Sequence, residues 1–298
     1  MAVIRICSDG RGSPAGWPQP EPFCSQERDF LVPQDRSDLA IRLAREAGAL
    51  LREGLGRAEL VALKGPNDLV TNYDQLSESL LVAGIRRSYP DDVILAEEGG
   101  MSGAGDSLWL VDPLDGTTNY AHGFPVFSVS IAYYERNRPV LGVIYDPMKD
   151  ELFHAVVGQG GWLNGRRLHV SATSSLGASL LVTGFPYDIH NKPDTNLGHF
   201  SAFLLRAQEV RCVGSAALDL ASIAAGRFDG YWELESGPWD RGAGMLLVQE
   251  AGGRVSRVDG GDSFPPERSS VLATNGLIHN AMLEVLDGGS TRSGNLRR

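Results

Sequence analysis

The sequence predicts a layered α/β protein, α+β in its details. Three observations carry that reading. Two early segments have the apolar spacing of amphipathic helices. The middle of the chain reads as an antiparallel meander. The last part alternates short apolar strands with helices, a pattern that stacks helices on sheets.

Taken in order, Ser37 or Asp38 can cap a first helix, with Leu39, Leu43, Ala47, Leu50 and Leu51 on one face. Gly54 and Gly56 end it. A second helix is expected over Asp74–Ser88, with Leu76, Leu80, Leu81 and Ile85 inward and Tyr89-Pro90 as its stop. Short strands follow at Val93–Ala96, ending on Glu97-Glu98, and at Leu108–Val111, ending on Asp112. Within Val126–Tyr134, Phe127, Val129, Ile131 and Tyr133 alternate onto one face. Val140–Tyr145 and Glu151–Val157 continue the meander across an Asp146-Pro147 turn, and Asn164-Gly165 marks another hairpin. The second part is expected as strands at Leu180–Thr183, Glu209–Val213, Gly230–Leu234, Gly253–Val258 and Val271–Ala273. Helices at Leu197–Ala207, Ala216–Ala225, Arg241–Ala251 and Asn280–Leu286 lie between and after them.

The boundaries implied are an unstructured N-terminal extension over 1–36, which holds five of the sixteen prolines, and a loose tail over 288–298. Between them lie an N-terminal half over 37–175 and a C-terminal half over 176–287. The 298 residues suffice for one large domain or two intimate halves. Basic residues number 27 against 37 acidic ones, a formal charge of −10. That balance argues against a nucleic-acid footprint and against an anionic membrane, and it suits a protein that concentrates divalent cations. No apolar run reaches the length of a membrane span. Three cysteines without a CxxC pair support neither zinc nor a disulfide framework, so a reducing, cytoplasmic setting is the expectation.

The sharpest motif is Asp112-Pro113-Leu114-Asp115-Gly116-Thr117-Thr118-Asn119, behind the apolar run Leu108–Val111. A buried strand there delivers two carboxylates to its end, and Pro113 favours a tight turn that aims both at one point. The Leu114 carbonyl can join them, and oxygen-only ligands suit Mg²⁺. Amides at Gly116 and Thr117 could hold a phosphate if a helix starts there. A capped turn is the simpler account of a lone DPxD, and the full string outweighs it. Glu97-Glu98 also ends an apolar strand. Asp240, before Gly242-Ala243-Gly244, and Asp74, after Lys64-Gly65-Pro66-Asn67-Asp68, each read alone as helix N-caps. Cys212 reads as a buried thiol, and the six histidines show no ligand spacing. No G-x-S-x-G is present to support serine-hydrolase chemistry.

Together, Trp109–Asn119, Trp239–Gly244 with Glu250-Ala251-Gly252-Gly253, Glu97-Glu98, Asp68–Asp74 and Gly184–Asp188 resemble the inositol monophosphatase family in identity and order. The resemblance covers about 37–286. It implies an αβαβα sandwich of the inositol monophosphatase and fructose-1,6-bisphosphatase type, usually a homodimer, with Mg²⁺-dependent, Li⁺-sensitive hydrolysis of a small phosphorylated metabolite. It implies two or three Mg²⁺ per subunit, held by Glu97, Asp112, the Leu114 carbonyl, Asp115 and Asp240. Glu97 and Thr117, with Asp74 behind them, would orient the attacking water. Lys64 and Asp68 match a mobile loop near a weaker third ion. Gly214, Ser215, Ala216 and Glu233 match the inositol pocket, which Asp115, Gly116, Thr117 and Asp240 complete on the phosphate side.

The leading expectation is therefore a phosphatase for myo-inositol monophosphate or a similar polyol phosphate. Its rivals within the class are histidinol phosphate, fructose-1,6-bisphosphate, NADP and 3′-phosphoadenosine 5′-phosphate. A different class remains open, a dimeric regulatory or interaction protein on the same scaffold. The intact set of acids argues against a scaffold alone.

Overall fold

The structure, a computed structural model, describes residues 34–65, 68–192, 195–262 and 267–290. The expected extension over 1–36 lies outside the described residues as far as 33, and 291–298 of the expected tail also lie outside them. Gln34–Arg36 already belong to the first helix, α1 (Gln34–Gly54). The cause of the early start is Arg36. Its guanidinium pairs with Asp92 and lies 3.8 Å from the centroid of the Tyr89 ring, an ion pair and a cation–π contact that hold the first turn down.

In chain order there follow β1 (Leu60–Gly65), β2 (Asp68–Thr71), α2 (Asn72–Ser88), β3 (Val93–Ala96), β4 (Gly100–Ser102), β5 (Ser107–Asp115) and the short α3 (Thr117–Ala121). Next come β6 (Ser128–Glu135), β7 (Arg138–Asp146), β8 (Glu151–Val156), β9 (Gly160–Leu163) and β10 (Arg166–Arg167). The chain continues with β11 (Leu180–Thr183), α4 (Leu197–Leu204), β12 (Glu209–Arg211), α5 (Ala216–Ala224) and β13 (Gly230–Ser236). It closes with α6 (Pro238–Glu250), β14 (Arg254–Ser256), β15 (Ser269–Thr274) and α7 (His279–Ser290).

Strands β10-β9-β8-β7-β6-β5-β3-β4 form an eight-stranded sheet in that spatial order. Within it only the β3–β5 pair is parallel. A second sheet runs β12-β11-β13-β15-β14. The alternation of side chains along each strand sorts the core into layers. On β5, Trp109 and Val111 pack with α1 and α2, while Leu110 between them packs with α5 and α6. Phe127, Val129, Ile131 and Tyr133 share the α1/α2 side, as their spacing predicts. The other face of the five-stranded sheet buries Leu181, Trp232 and Leu272 against Phe203 of α4 and Met282 of α7. The result is the αβαβα sandwich, with α5 and α6 as the filling.

Small residues let α6 sit that close. A Cβ at Gly242 would come within 2.7 Å of Leu110, one at Gly244 within 2.4 Å of Leu220, and one at Gly142 of β7 within 2.7 Å of the Ala243 carbonyl oxygen. Among the described residues no helix is long and apolar enough to cross a membrane. Strand β1 and the edge strand β4 escape the sequence reading because most of their residues are exposed, and β2 because its four residues carry no apolar alternation.

Candidate active site

Asp112 and Asp115 do not sit in a turn, as Pro113 suggests. Strand β5 runs on through Asp115, and the partner residue on β6 moves only from Ser130 to Ser128 while β5 advances from Asp112 to Asp115. That is a bulge of one extra residue. Side chains three apart on a regular strand face opposite sides, and the extra residue brings both carboxylates to the same cleft. Pro113 suits the bulge because it has no N–H to pair. Its carbonyl accepts from Ser77 Oγ at 2.7 Å. Asp112 Oδ1 accepts the Leu114 N–H at 3.1 Å.

Gly116 then turns the chain into α3 with φ +95°. A Cβ there would also stand 3.0 Å from Val126 O and 3.1 Å from Gly214 O, so glycine is required on two counts. The Thr117 hydroxyl lies 2.8 Å from Asp74 Oδ1 and 2.9 Å from Leu114 O.

Asp74 is not the N-cap of α2. Thr71 is, and Asp74 stands at the third helical position, where its Oδ2 accepts the Thr71 N–H at 2.7 Å. Asp240 repeats the arrangement. Gly237 is the N-cap of α6, and Asp240 Oδ2 accepts its N–H at 2.6 Å. Asp115 does the same for a helix remote in sequence. It accepts from Ser215 Oγ and from the amides of Ala216 at 3.1 Å and Ala217 at 2.9 Å, which open α5. Acids at helix N-termini meet unpaired N–H groups and the positive end of the helix dipole, which favours their anionic form.

These groups line one cleft of about 570 Å³. Of the residues singled out from sequence, Lys64, Asp68, Glu97, Asp112, Leu114, Asp115, Gly116, Thr117, Gly214, Ser215, Ala216, Glu233 and Asp240 all lie on its wall. Asp74 is buried behind Thr117. Lys64 Nζ bridges Glu97 Oε1 at 2.9 Å and Glu98 Oε1 at 2.6 Å. Cys212 also reaches the cleft wall and is exposed, which corrects its reading as a buried thiol. Sequence reasoning missed Tyr231, whose hydroxyl donates to Glu233, and Asp219, the lone charged residue of the mostly apolar α5. An acid inside such a helix was the available signal.

Crowding of like charge sets the electrostatics. Burial pushes Glu97 up to about 8, aided by Asp240 and opposed by Lys64. Burial also raises Asp112 well above the usual carboxylate range, with Glu97, Asp115 and Asp240 adding to it. Asp115 rises only to about 6, because the Ser215 hydroxyl and the Ala217 amide counter its burial. Glu233 is raised to about 8 by burial, against the Tyr231 hydroxyl.

The donor set is that of a hard cation: carboxylates and a carbonyl, with negative charge that Lys64 offsets only in part. Among the described residues no three Asp, Glu, His or Cys side chains close on one point as a finished cage. Lys64 and the α5 N-terminus hold Glu97 and Asp115 in hydrogen bonds instead. The residues fit the ion by chemistry and by their common cleft.

The inositol monophosphatase family model matches residues 33–289. The chain is 44% identical over 270 residues to an inositol-1-monophosphatase of Synechocystis sp., covering 88% of this chain and 93% of that protein. It is 43% identical over 262 residues to the Nus factor SuhB of Pseudomonas aeruginosa, covering 85% and 96%. Among solved structures, the inositol monophosphatase of Anabaena (Nostoc) sp. superposes with a TM-score of 0.77 at 44% identity, covering 86% of this chain and 96% of that one. With the sandwich, the bulged acid pair and the converging helix ends all in place, the chain belongs to the inositol monophosphatase family.

Proposed function

We propose that the protein is a Mg²⁺-dependent phosphomonoesterase that hydrolyses myo-inositol monophosphate, or a similar small polyol phosphate, to the alcohol and inorganic phosphate. The observation that carries this reading is that Glu97, Asp112, Asp115 and Asp240 line one cleft together with Gly116 and Thr117 at the start of α3. A cation finds oxygen donors there, and a phosphate finds N–H groups.

The family is metal-dependent in general. Glu97, Asp112, the Leu114 carbonyl, Asp115 and Asp240 would hold two Mg²⁺, and Lys64 and Asp68 would stand by a weaker third. Magnesium, when bound, supplies charge neutralisation on the phosphate and a more acidic water. The Thr117 hydroxyl, held by Asp74, and the Glu97 carboxylate would orient the attacking water in line with the ester oxygen. The Gly116 and Thr117 amides would steady the phosphate oxygens. Gly214, Ser215, Ala216 and Glu233 receive the polyol. No covalent enzyme intermediate is needed. The acids come mainly from the half over 37–175, and the polyol wall comes from 176–287. A cytoplasmic, Li⁺-sensitive homodimer completes the reading.

The test is a kcat/KM panel with and without Mg²⁺ over myo-inositol 1-phosphate, histidinol phosphate, fructose-1,6-bisphosphate, NADP and 3′-phosphoadenosine 5′-phosphate. A Mg²⁺-dependent preference for the inositol ester is expected, and no turnover of any of them would sink the proposal. The likeness to a Nus factor favours a second reading, an interaction protein on the same scaffold. Asp112→Asn separates the two, because it should abolish hydrolysis and leave partner binding intact.

A further inference from the structure

Asp219 has no assigned task in the phosphatase reading, and its surroundings are unusual. It lies in the first turn of α5 and is 2% exposed, yet it forms part of the cleft wall. Among the described residues its backbone N–H bonds to Ser215 O at 3.0 Å, and its carboxyl has no hydrogen-bond partner. The other acids around the cleft centre are engaged: Asp115 by α5, Asp240 by Gly237, Glu233 by Tyr231 and Glu97 by Lys64. A first-turn acid gains a little from the helix dipole when exposed to water. That gain does not account for a nearly buried acid whose carboxyl has no protein partner and is left to the cleft.

We propose that Asp219 is a specificity-determining residue whose carboxyl, on the cleft wall with Asp115 and Glu233, takes a hydroxyl group of the substrate remote from the phosphate. The inference rests on the phosphomonoesterase reading and deepens it. Glu233 serves one hydroxyl and Asp219 another, so the pocket counts hydroxyls rather than merely admitting a small alcohol. A site built to bond hydroxyls rejects an ester that lacks them, since its own polar groups are then left unmatched. Burial first, and then the charges of Asp115 and Glu233, push its carboxyl well above the usual range. A carboxyl group offers two oxygens side by side, which suits neighbouring hydroxyls.

The experiment compares kcat/KM for myo-inositol 1-phosphate and for phenyl phosphate, which has no hydroxyl, in the full chain with Mg²⁺. Wild type, Asp219→Leu and Asp219→Asn are measured, each with a melting curve. Asp219→Leu is expected to lower the ratio of the two constants by about tenfold or more, chiefly through KM for the inositol ester. Asp219→Asn, which still donates and accepts, should restore most of the ratio. The Leu variant should melt at or above wild type, because an unpaired buried acid is gone. An unchanged ratio in both variants, with wild-type turnover of both esters, overturns the role of Asp219 and leaves the phosphatase intact. A lowered melting temperature with an unchanged ratio assigns Asp219 to the fold and equally overturns it. Should the Leu variant not fold, Asp219→Ala takes its place: a fall in the ratio that Asp219→Asn does not show supports the role, and a ratio equal to wild type overturns it. If wild type turns over neither ester, the phosphatase reading falls and this inference falls with it.

Discussion

Thr117 and Asp74, 43 positions apart in sequence, meet at 2.8 Å. The same carboxylate closes the N-terminus of α2 through the Thr71 N–H. One buried acid therefore both seals a helix and sets the direction of a hydroxyl in the cleft, so the two tasks can be pulled apart. Thr117→Val removes the hydroxyl and keeps the seal. It should lower kcat by roughly 10²-fold or more with a near-native melting temperature. Asp74→Ala should lower kcat comparably and also cost about 1 kcal/mol of stability. Steady-state kinetics beside denaturant melts on both variants check this, and equal melting losses would refute the division.

The pH dependence of the metal-free protein follows from the raised acids. Glu97 and Glu233 are each pushed up to about 8, first by burial. The folded state therefore keeps protons that the unfolded chain has already released, and stability is lost as pH rises toward 8. His279 runs the other way, since burial pushes it down to about 4 from its usual 6.5. Above pH about 6.5 it is neutral in both states and adds no slope. Without Mg²⁺ the melting temperature should thus fall between pH about 6.5 and about 8.5, and the stabilisation given by added Mg²⁺ should grow over that window. A flat or rising metal-free profile in thermal melts would contradict the charge crowding.

Lys64 is the counter-charge that Glu97 and Glu98 use in this structure. Any divalent ion arriving at Glu97 must compete with it. Lys64→Gln should lower the half-saturating Mg²⁺ concentration about fivefold, equivalent to roughly 1 kcal/mol for a pair of this exposure. Calorimetric titration with Mg²⁺ reads this directly, and weaker binding would show Lys64 to be an aid rather than a rival.

Close approach of α6 to the large sheet depends on Gly142. A methyl group there would meet Ala243 O at 2.7 Å and Ala243 Cα at 3.0 Å, both backbone atoms that cannot swing aside. Gly142→Ala should destabilise the fold by about 1–3 kcal/mol. Because Asp240 rides on α6, Mg²⁺ affinity should fall as well. A urea melt and a Mg²⁺ titration test the two effects separately.

The cluster was legible in the sequence where its geometry is local. An apolar strand running into Asp112–Asn119 declares a buried ladder with acids at its end, and the Gly-Ala-Gly run after Asp240 declares close packing. Position in space was legible only through the family resemblance, because Asp240 lies 125 positions beyond Asp115. Two local readings failed for physical reasons. Pro113 suggested a turn, but a bulge also accommodates a residue without an N–H. Asp74 looked like a cap, but Thr71 occupies that place and Asp74 completes the box from the third helical position. Strands β1 and β2 carried no apolar alternation to read.

The anchorage of Asp115 by Ser215 Oγ spans 100 positions. On a ribosome, the bulged strand and its acids leave the exit tunnel long before α5 and α6 exist to grip them. A growing polypeptide thus carries these carboxylates without their grips until α5 and α6 have been translated.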